Sequence, residues 1–181
     1  MSQTSISYEL NKHICEQSYV DIHVDNKGND VFSCIPIAKT DRLLMALNFY
    51  DFLPDGFIII AINRIKKIAQ KKYYSFFKKV VLQEGAMAIS EDAPKINIAD
   101  WQDAFRSLKK HGLLVMIDSG VKGAINLGRI MSVSSDSITM LPVNPDGFWD
   151  SDEWVNPIDN IISVSFSNHY SNMFAKYVTR K

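Results

Sequence analysis

Apolar residues recur along this chain at two spacings. Trp101, Ala104, Phe105 and Leu108 fall at i, i+3, i+4 and i+7, which is one face of a helix. Asp100 stands where an N-cap belongs, with Asp103 three residues on. Lys109, Lys110 and His111 complement the C-terminal end of the helix dipole, and Gly112 can take the left-handed stop conformation. Tyr170, Met173, Phe174 and Tyr177 repeat the helical spacing. Tyr73, Phe76, Phe77 and Val80 form a third stripe that ends before Gly85, and Leu10 and Ile14 mark a helix near the start. Between these stripes lie short apolar runs bounded by turn residues. They predict strands over 19–24, 31–38, 43–49, 57–62 and 65–69, then over 113–117, 124–133, 137–143, 154–158 and 161–166. Gly128 inside its run predicts a bend. Asp118-Ser119-Gly120, Ser134-Ser135-Asp136 and Asn144-Pro145-Asp146-Gly147 are turn chemistry.

The two sets of strands read as one plan repeated, the competing explanation being chance similarity between two β-rich stretches. Residues 62–68 match 158–164 at an offset of 96, and Tyr74-Ser75 matches Tyr170-Ser171 at the same offset. Pro54-Asp55-Gly56-Phe57 matches Pro145-Asp146-Gly147-Phe148 at 91, and Asp41 matches Asp136 at 95. The jump from 91 to 96 places five extra residues in the second copy, around Trp149 to Glu153. Each copy then reads as helix, five short strands, helix, and strands of this length with tight turns curl into small barrels. The expected fold is mostly β with flanking helices (α+β), built as two tandem SH3-like or Sm-like five-stranded barrels. The first helix-barrel-helix repeat spans 1–84 and the second 100–181. A linker over 85–99 holds Pro94 and many small residues.

A helix followed by five bent strands resembles the Sm-like branch of the SH3-like barrels. Gly128 fits that family's glycine in the bent second strand, and Asp136 and Asp41 fit its aspartate in the next turn. The asparagine that follows in the family is replaced in its neighbourhood by Met45 and Met140. The basic-residue–glycine step of the last turn is replaced by Asn63-Arg64 and Asp159-Asn160. These departing positions carry RNA contacts in the family. The resemblance therefore implies a fold and carries over neither ring assembly nor RNA binding.

Composition narrows the class. Of 181 residues 46% are apolar and 22% charged, which rules out wholesale disorder. Lys and Arg total 20 against 20 Asp and Glu, so the chain as a whole is no basic nucleic-acid binder. The longest apolar run, 57–62, is too short to span a bilayer. The first residues lack the basic and apolar regions of a secretory signal. Two cysteines, Cys15 and Cys34, read as buried thiols in a reducing compartment. A cytoplasmic protein with no membrane contact is expected.

Charge is balanced in sum and uneven along the chain. Residues 64–79 hold seven basic residues and no acid, whereas 130–175 hold six acids and no Lys or Arg. The acids cluster in the five-residue insertion, where Phe148, Trp149, Asp150, Asp152, Glu153 and Trp154 combine aromatic and acidic groups. Aromatics dominate the energetics of protein interfaces, so this loop is the candidate partner-binding site. Alternatively, Phe148 and Trp154 plug the barrel and only the acids face water. The basic stretch offers a second candidate: Arg64, Lys66, Lys67, Lys71 and Lys72 holding RNA phosphates while Tyr73, Tyr74, Phe76 or Phe77 stacks a base. The competing explanation buries those aromatics and leaves the lysines as a solvated flank. A third arrangement sets the basic face of one copy against the acidic face of another, within the chain or head to tail between chains.

Catalytic motifs are absent. There is no phosphate-binding glycine loop, no Gly-x-Ser-x-Gly and no Cys-x-x-Cys, and His13, His23, His111 and His169 lack metal-ligand spacing. The expected role is a non-enzymatic binding module without cofactor or metal. Its partner is a protein (adaptor or inhibitor type), with RNA as the alternative partner and self-association open.

Overall fold

A computed structural model describes residues 3–25, 30–70, 72–83, 93–120 and 125–179. In the first half, α1 (Gln3–Glu16) precedes β1 (Val20–Val24), β2 (Val31–Lys39), β3 (Leu43–Tyr50), β4 (Leu53–Ala61) and β5 (Ile65–Ala69), and α2 (Tyr74–Gln83) follows. In the second, α3 (Trp101–Lys110) precedes β6 (Leu114–Asp118), β7 (Ile125–Val133), β8 (Ser137–Pro142), β9 (Trp154–Pro157) and β10 (Ser163–Phe166), and α4 (His169–Tyr177) closes. The expected strands are all present near their expected bounds, except that β4 starts at Leu53 and takes in residues 53–56, ahead of the expected start at 57.

The ten strands make one antiparallel sheet in the order β5-β1-β2-β3-β4-β10-β6-β7-β8-β9. Each half thus has the same internal order, its fifth strand beside its first. Two separate closed barrels are not what forms. Closure would require β4 to find β5 and β9 to find β10. Instead a 3-10 turn, Ile62–Arg64, carries the chain from β4 to the far side of β1, and Ile158–Asn160 does the same from β9 to the far side of β6. The edge of β4 then pairs with β10, with Ser163 opposite Ile60 and Phe166 opposite Phe57. One sheet running through both halves counts against two self-contained copies, and what remains of that expectation is the like strand order within each half.

The helix α3 forms as its sequence dictates. The Asp100 carboxylate accepts from the Asp103 N–H at 2.8 Å, Gly112 takes φ +65°, and Ala104, Phe105 and Leu108 are fully buried. One apolar cluster joins these residues to Val115, Ile117, Val164 and Phe166, and also to Leu43, Met45, Phe57 and Ile59 of the first half. Ile98, inside the expected linker, is buried in the same cluster. A second cluster packs Ile6 and Leu10 of α1 on Val20, Ile22, Leu44, Ile58 and Ile60.

The trailing helices dock at a different angle from the one their stripes suggest. Among the described side chains of α2, Tyr74 and Val81 are buried and Phe77 is partly buried, and Phe76 and the preceding Tyr73 are exposed. In α4, Ser171 is buried and Phe174 packs inward, leaving Tyr170, Met173 and Tyr177 exposed. Both helices are apolar on more than one face, so spacing alone does not fix which face docks. Pairing also moves two repeat anchors. Pro54-Asp55-Gly56 lies inside β4, whereas Pro145-Asp146-Gly147 is a turn closed by the Gly147 N–H on the Asn144 carbonyl at 3.0 Å. The Thr40 and Ser134 N–H groups bond Leu43 and Ser137 carbonyls alike, which makes Arg42, and not Asp41, the counterpart of Asp136. Of the cysteines, Cys34 is buried and Cys15 is exposed, which corrects the expectation for Cys15. Burial pushes the Cys34 thiol up, so it stays protonated and inert.

Candidate functional site

The insertion between β8 and β9 is a pinned loop. Asn144 Oδ1 accepts from the N–H groups of Asp146 and Phe148, each at 3.1 Å, and Asn144 N–H donates to the Phe148 carbonyl at 2.9 Å. The C-terminal segment then clamps it. The Trp149 N–H donates to the Thr179 carbonyl at 3.2 Å, and the Thr179 N–H donates to the Gly147 carbonyl at 3.1 Å. Trp149 is half-buried against the cluster of Leu114, Leu127 and Val143, with the Arg129 guanidinium 5.0 Å above its ring. Phe148 and Trp154 are half-buried too, and Trp154 opens β9 opposite Met140. Asp150, Asp152 and Glu153 are all exposed. The loop therefore presents acids outward and sets its aromatics at its base.

Directly after these acids runs an edge strand. Among the described residues nothing pairs with the outer side of β9, nor with the outer side of β5 at the opposite end of the sheet. Val155, in the middle of β9, is 58% exposed. An exposed strand edge with an apolar side chain is a template for another strand. Sequence reasoning found the loop and missed the edge. No local feature of 154–157 marks it as a margin, because a strand's sequence does not name its neighbours.

No protein-family model, curated protein or solved structure matches this chain. The site's chemistry must therefore be read from its own residues.

The basic candidates do not form one patch. Arg64 turns to the junction of the halves, where Nη2 donates to the Asp159 carbonyl at 3.3 Å. There it lines a polar pocket of about 380 Å³ with Asp41, Arg42, Asn63 and Gln102. The Lys66 ammonium sits 2.7 Å from the Asp25 carboxylate. Lys67 lines a hollow of about 660 Å³ with Tyr19, Tyr73, Tyr74 and Phe77, and Lys72 lies beside Lys78 on another. Lys71 lies outside the described residues. Burial pushes the Tyr19 phenol up to about 12, and Asp21, His23 and Asp51 line the same hollow. At the turn before β8, hydroxyls of Ser134 and Ser137 hold the exposed Asp136 carboxyl below its usual range. Among the described residues no group of His, Cys, Asp or Glu could hold a metal ion, and no helix is long and apolar enough to cross a membrane.

Proposed function

We propose that this chain is a non-enzymatic protein-interaction module of adaptor or inhibitor type, which takes its partner on the loop 148–154 and the adjoining edge of β9. The observation that carries this reading is the juxtaposition of three exposed acids, Asp150, Asp152 and Glu153, with a strand edge that presents Val155. An extended segment of a partner would add to the sheet through main-chain hydrogen bonds, and the acids would select for basic residues beside it. Two units over 1–84 and 100–181 remain our reading of how the chain is organised, with a cytoplasmic setting. The experiment is affinity capture from cell lysate with the wild-type chain and with Asp152→Lys/Glu153→Lys, whose exposed side chains carry no packing. Capture is expected to fall at least tenfold, and also in Trp149→Ala and Trp154→Ala. Unchanged capture profiles in all of them would sink the reading.

A second reading is favoured by one observation. Tyr73 and Phe76 are 54% and 60% exposed, so the aromatics of the basic stretch are not all core. With Lys67 and Lys72 nearby they offer a stacking platform for single-stranded RNA. Stacking is worth about 1–3 kcal/mol per base, so Phe76→Ala would weaken binding roughly five- to 150-fold. A filter-binding titration at low salt decides it: no retention of single-stranded RNA removes RNA binding.

A further inference from the structure

We infer that the hollow between β1, β2, β5 and α2 is a binding site for a small aliphatic amine in its protonated form. It lies in the first half and is independent of the loop and strand edge described above.

Strand pairing shows what is unusual there. Asp21 in β1 stands opposite Ser33 in β2, and the equivalent pair in the second half is Met116 opposite Leu127. The equivalence follows from the fifth strands, because Ile22 opposite Ile68 matches Ile117 opposite Val164. Each pair lines a hollow beside the trailing helix of its half, about 660 Å³ at α2 and about 430 Å³ at α4. In the second half Met116 and Leu127 join one apolar cluster with Phe174 of α4. In the first half the same place holds the carboxyl of Asp21, a residue only 4% exposed, whose Oδ1 accepts from the Ser33 hydroxyl at 2.7 Å. Taking a carboxylate out of water is costly even when it is hydrogen-bonded. The second half shows that the fold has an apolar solution at this position. The carboxylate is therefore no requirement of the architecture, and the ligand that gains from it is a cation.

The other walls suit an alkylammonium. Tyr19, Tyr73, Tyr74 and Phe77 line the hollow. Tyr74 lies 5.0 Å from Tyr19 at an interplanar angle of 75°, and 5.0 Å from Tyr73 at 89°. Rings so inclined turn π faces in more than one direction, and π faces attract cations. Exposed Asp51 adds a second carboxylate at the rim. The Tyr19 hydroxyl donates to the Asp51 carbonyl at 3.3 Å, which holds that turn against the hollow. The remaining titratable lining groups are His23 and Lys67, and the exposed Lys67 ammonium competes with a bound cation. An alkylammonium brings three N–H donors for Asp21 and methylene groups for the rings. A diamine brings a second ammonium for Asp51. A metal ion fits less well, since among the described residues no group of His, Cys, Asp or Glu could hold one.

The test is equilibrium dialysis of the full chain against labelled putrescine at low salt, with butylamine and tetramethylammonium as competitors. Saturable binding of one putrescine per chain is expected. Asp21→Asn is expected to weaken it about tenfold or more, because a hydrogen bond between charged groups is lost. Asp21→Met/Ser33→Leu installs the second half's own pair. It is expected to unfold at no lower urea concentration than the wild type and to bind no putrescine, which keeps the test decisive where Asp21→Asn fails to fold. Tetramethylammonium has no N–H and is expected to compete about tenfold less well than butylamine, or worse. Lys67→Met is expected to tighten putrescine binding, whereas the RNA reading makes the opposite demand and loses a phosphate contact. No saturable binding at millimolar putrescine overturns the site. So does undiminished binding by the folded double variant, competition by tetramethylammonium equal to that of butylamine, or weaker binding by Lys67→Met. All of these outcomes leave protein capture by the loop 148–154 untouched.

Discussion

Phe166→Ala is expected to cost about 3–5 kcal/mol and to destabilise both halves together. Phe166 is fully buried in β10, between Val115 on one side and Phe57 on the other. Its ring lies 5.6 Å from that of Phe57 at an interplanar angle of 25°. Truncation removes the ring from a cluster that also contains α3 residues and first-half residues, so no single helix can shift to fill the space. A pair of this kind adds about 0.5–1.5 kcal/mol beyond its buried area, which a double-mutant cycle with Phe57→Ala would read as coupling. The chain carries its own reporter for the second half, since Trp101, Trp149 and Trp154 all lie there. Urea unfolding followed by tryptophan fluorescence and by far-UV circular dichroism is expected to give coincident transitions, both shifted by the mutation. Transitions that separate, with one left in place, would mean that the halves unfold as independent domains and that the β4–β10 seam contributes little. Val155→Ala, exposed on the sheet margin, is the control and should stay within about 0.5 kcal/mol.

The seam also shows what sequence can and cannot convey. Strand positions were legible because each run of β-branched and apolar residues is closed by turn chemistry, as at Ser134-Ser135-Asp136. Which strands become neighbours was not, because alternation marks a strand without naming its partner. The hydrophobic stretch 57–60 pairs with 163–166, more than a hundred residues away, and nothing local in either run says so. The helix α3 was legible to its cap because only one of its faces is apolar. By contrast α2 offers Tyr73, Tyr74, Phe76, Phe77, Val80 and Val81, enough for two candidate faces. Packing on Tyr19, whose ring lies 5.0 Å from Tyr74 and 5.3 Å from Phe77, chooses between them. At the candidate site the exposure of Asp150, Asp152 and Glu153 followed from charge. The half-burial of Trp149 did not, because it depends on Arg129 and on the C-terminal segment folding back at Thr179.

Gly56→Ala is the second large effect, expected at about 2–5 kcal/mol, and its cause lies in the same seam. Gly56 sits in β4 with φ +71°. A Cβ there would fall 2.4 Å from the Asn168 nitrogen and 2.6 Å from both the Phe166 oxygen and the Ser167 carbonyl carbon. All three are main-chain atoms where β10 ends, so no side chain can swing aside. The neighbouring Asp55 fixes that exit as well, its Oδ1 accepting from the His169 N–H at 2.8 Å at the start of α4. Two terms therefore add: about 1–2 kcal/mol for an L-residue in the left-handed region, and about 1–3 kcal/mol for forcing atoms into a packed contact. Gly147 separates them. Its φ is +81°, yet a Cβ there meets nothing within 4 Å. Gly147→Ala should lose the backbone term alone, about 1–2 kcal/mol. Paired urea titrations of the two variants measure the difference, which is the cost of prising β10 off β4. Equal losses would show that the close approach at Gly56 relaxes without consequence. The larger loss at Gly56 would identify a glycine that the tripeptide Pro-Asp-Gly disguises as a turn residue, retained to let two sheet edges touch.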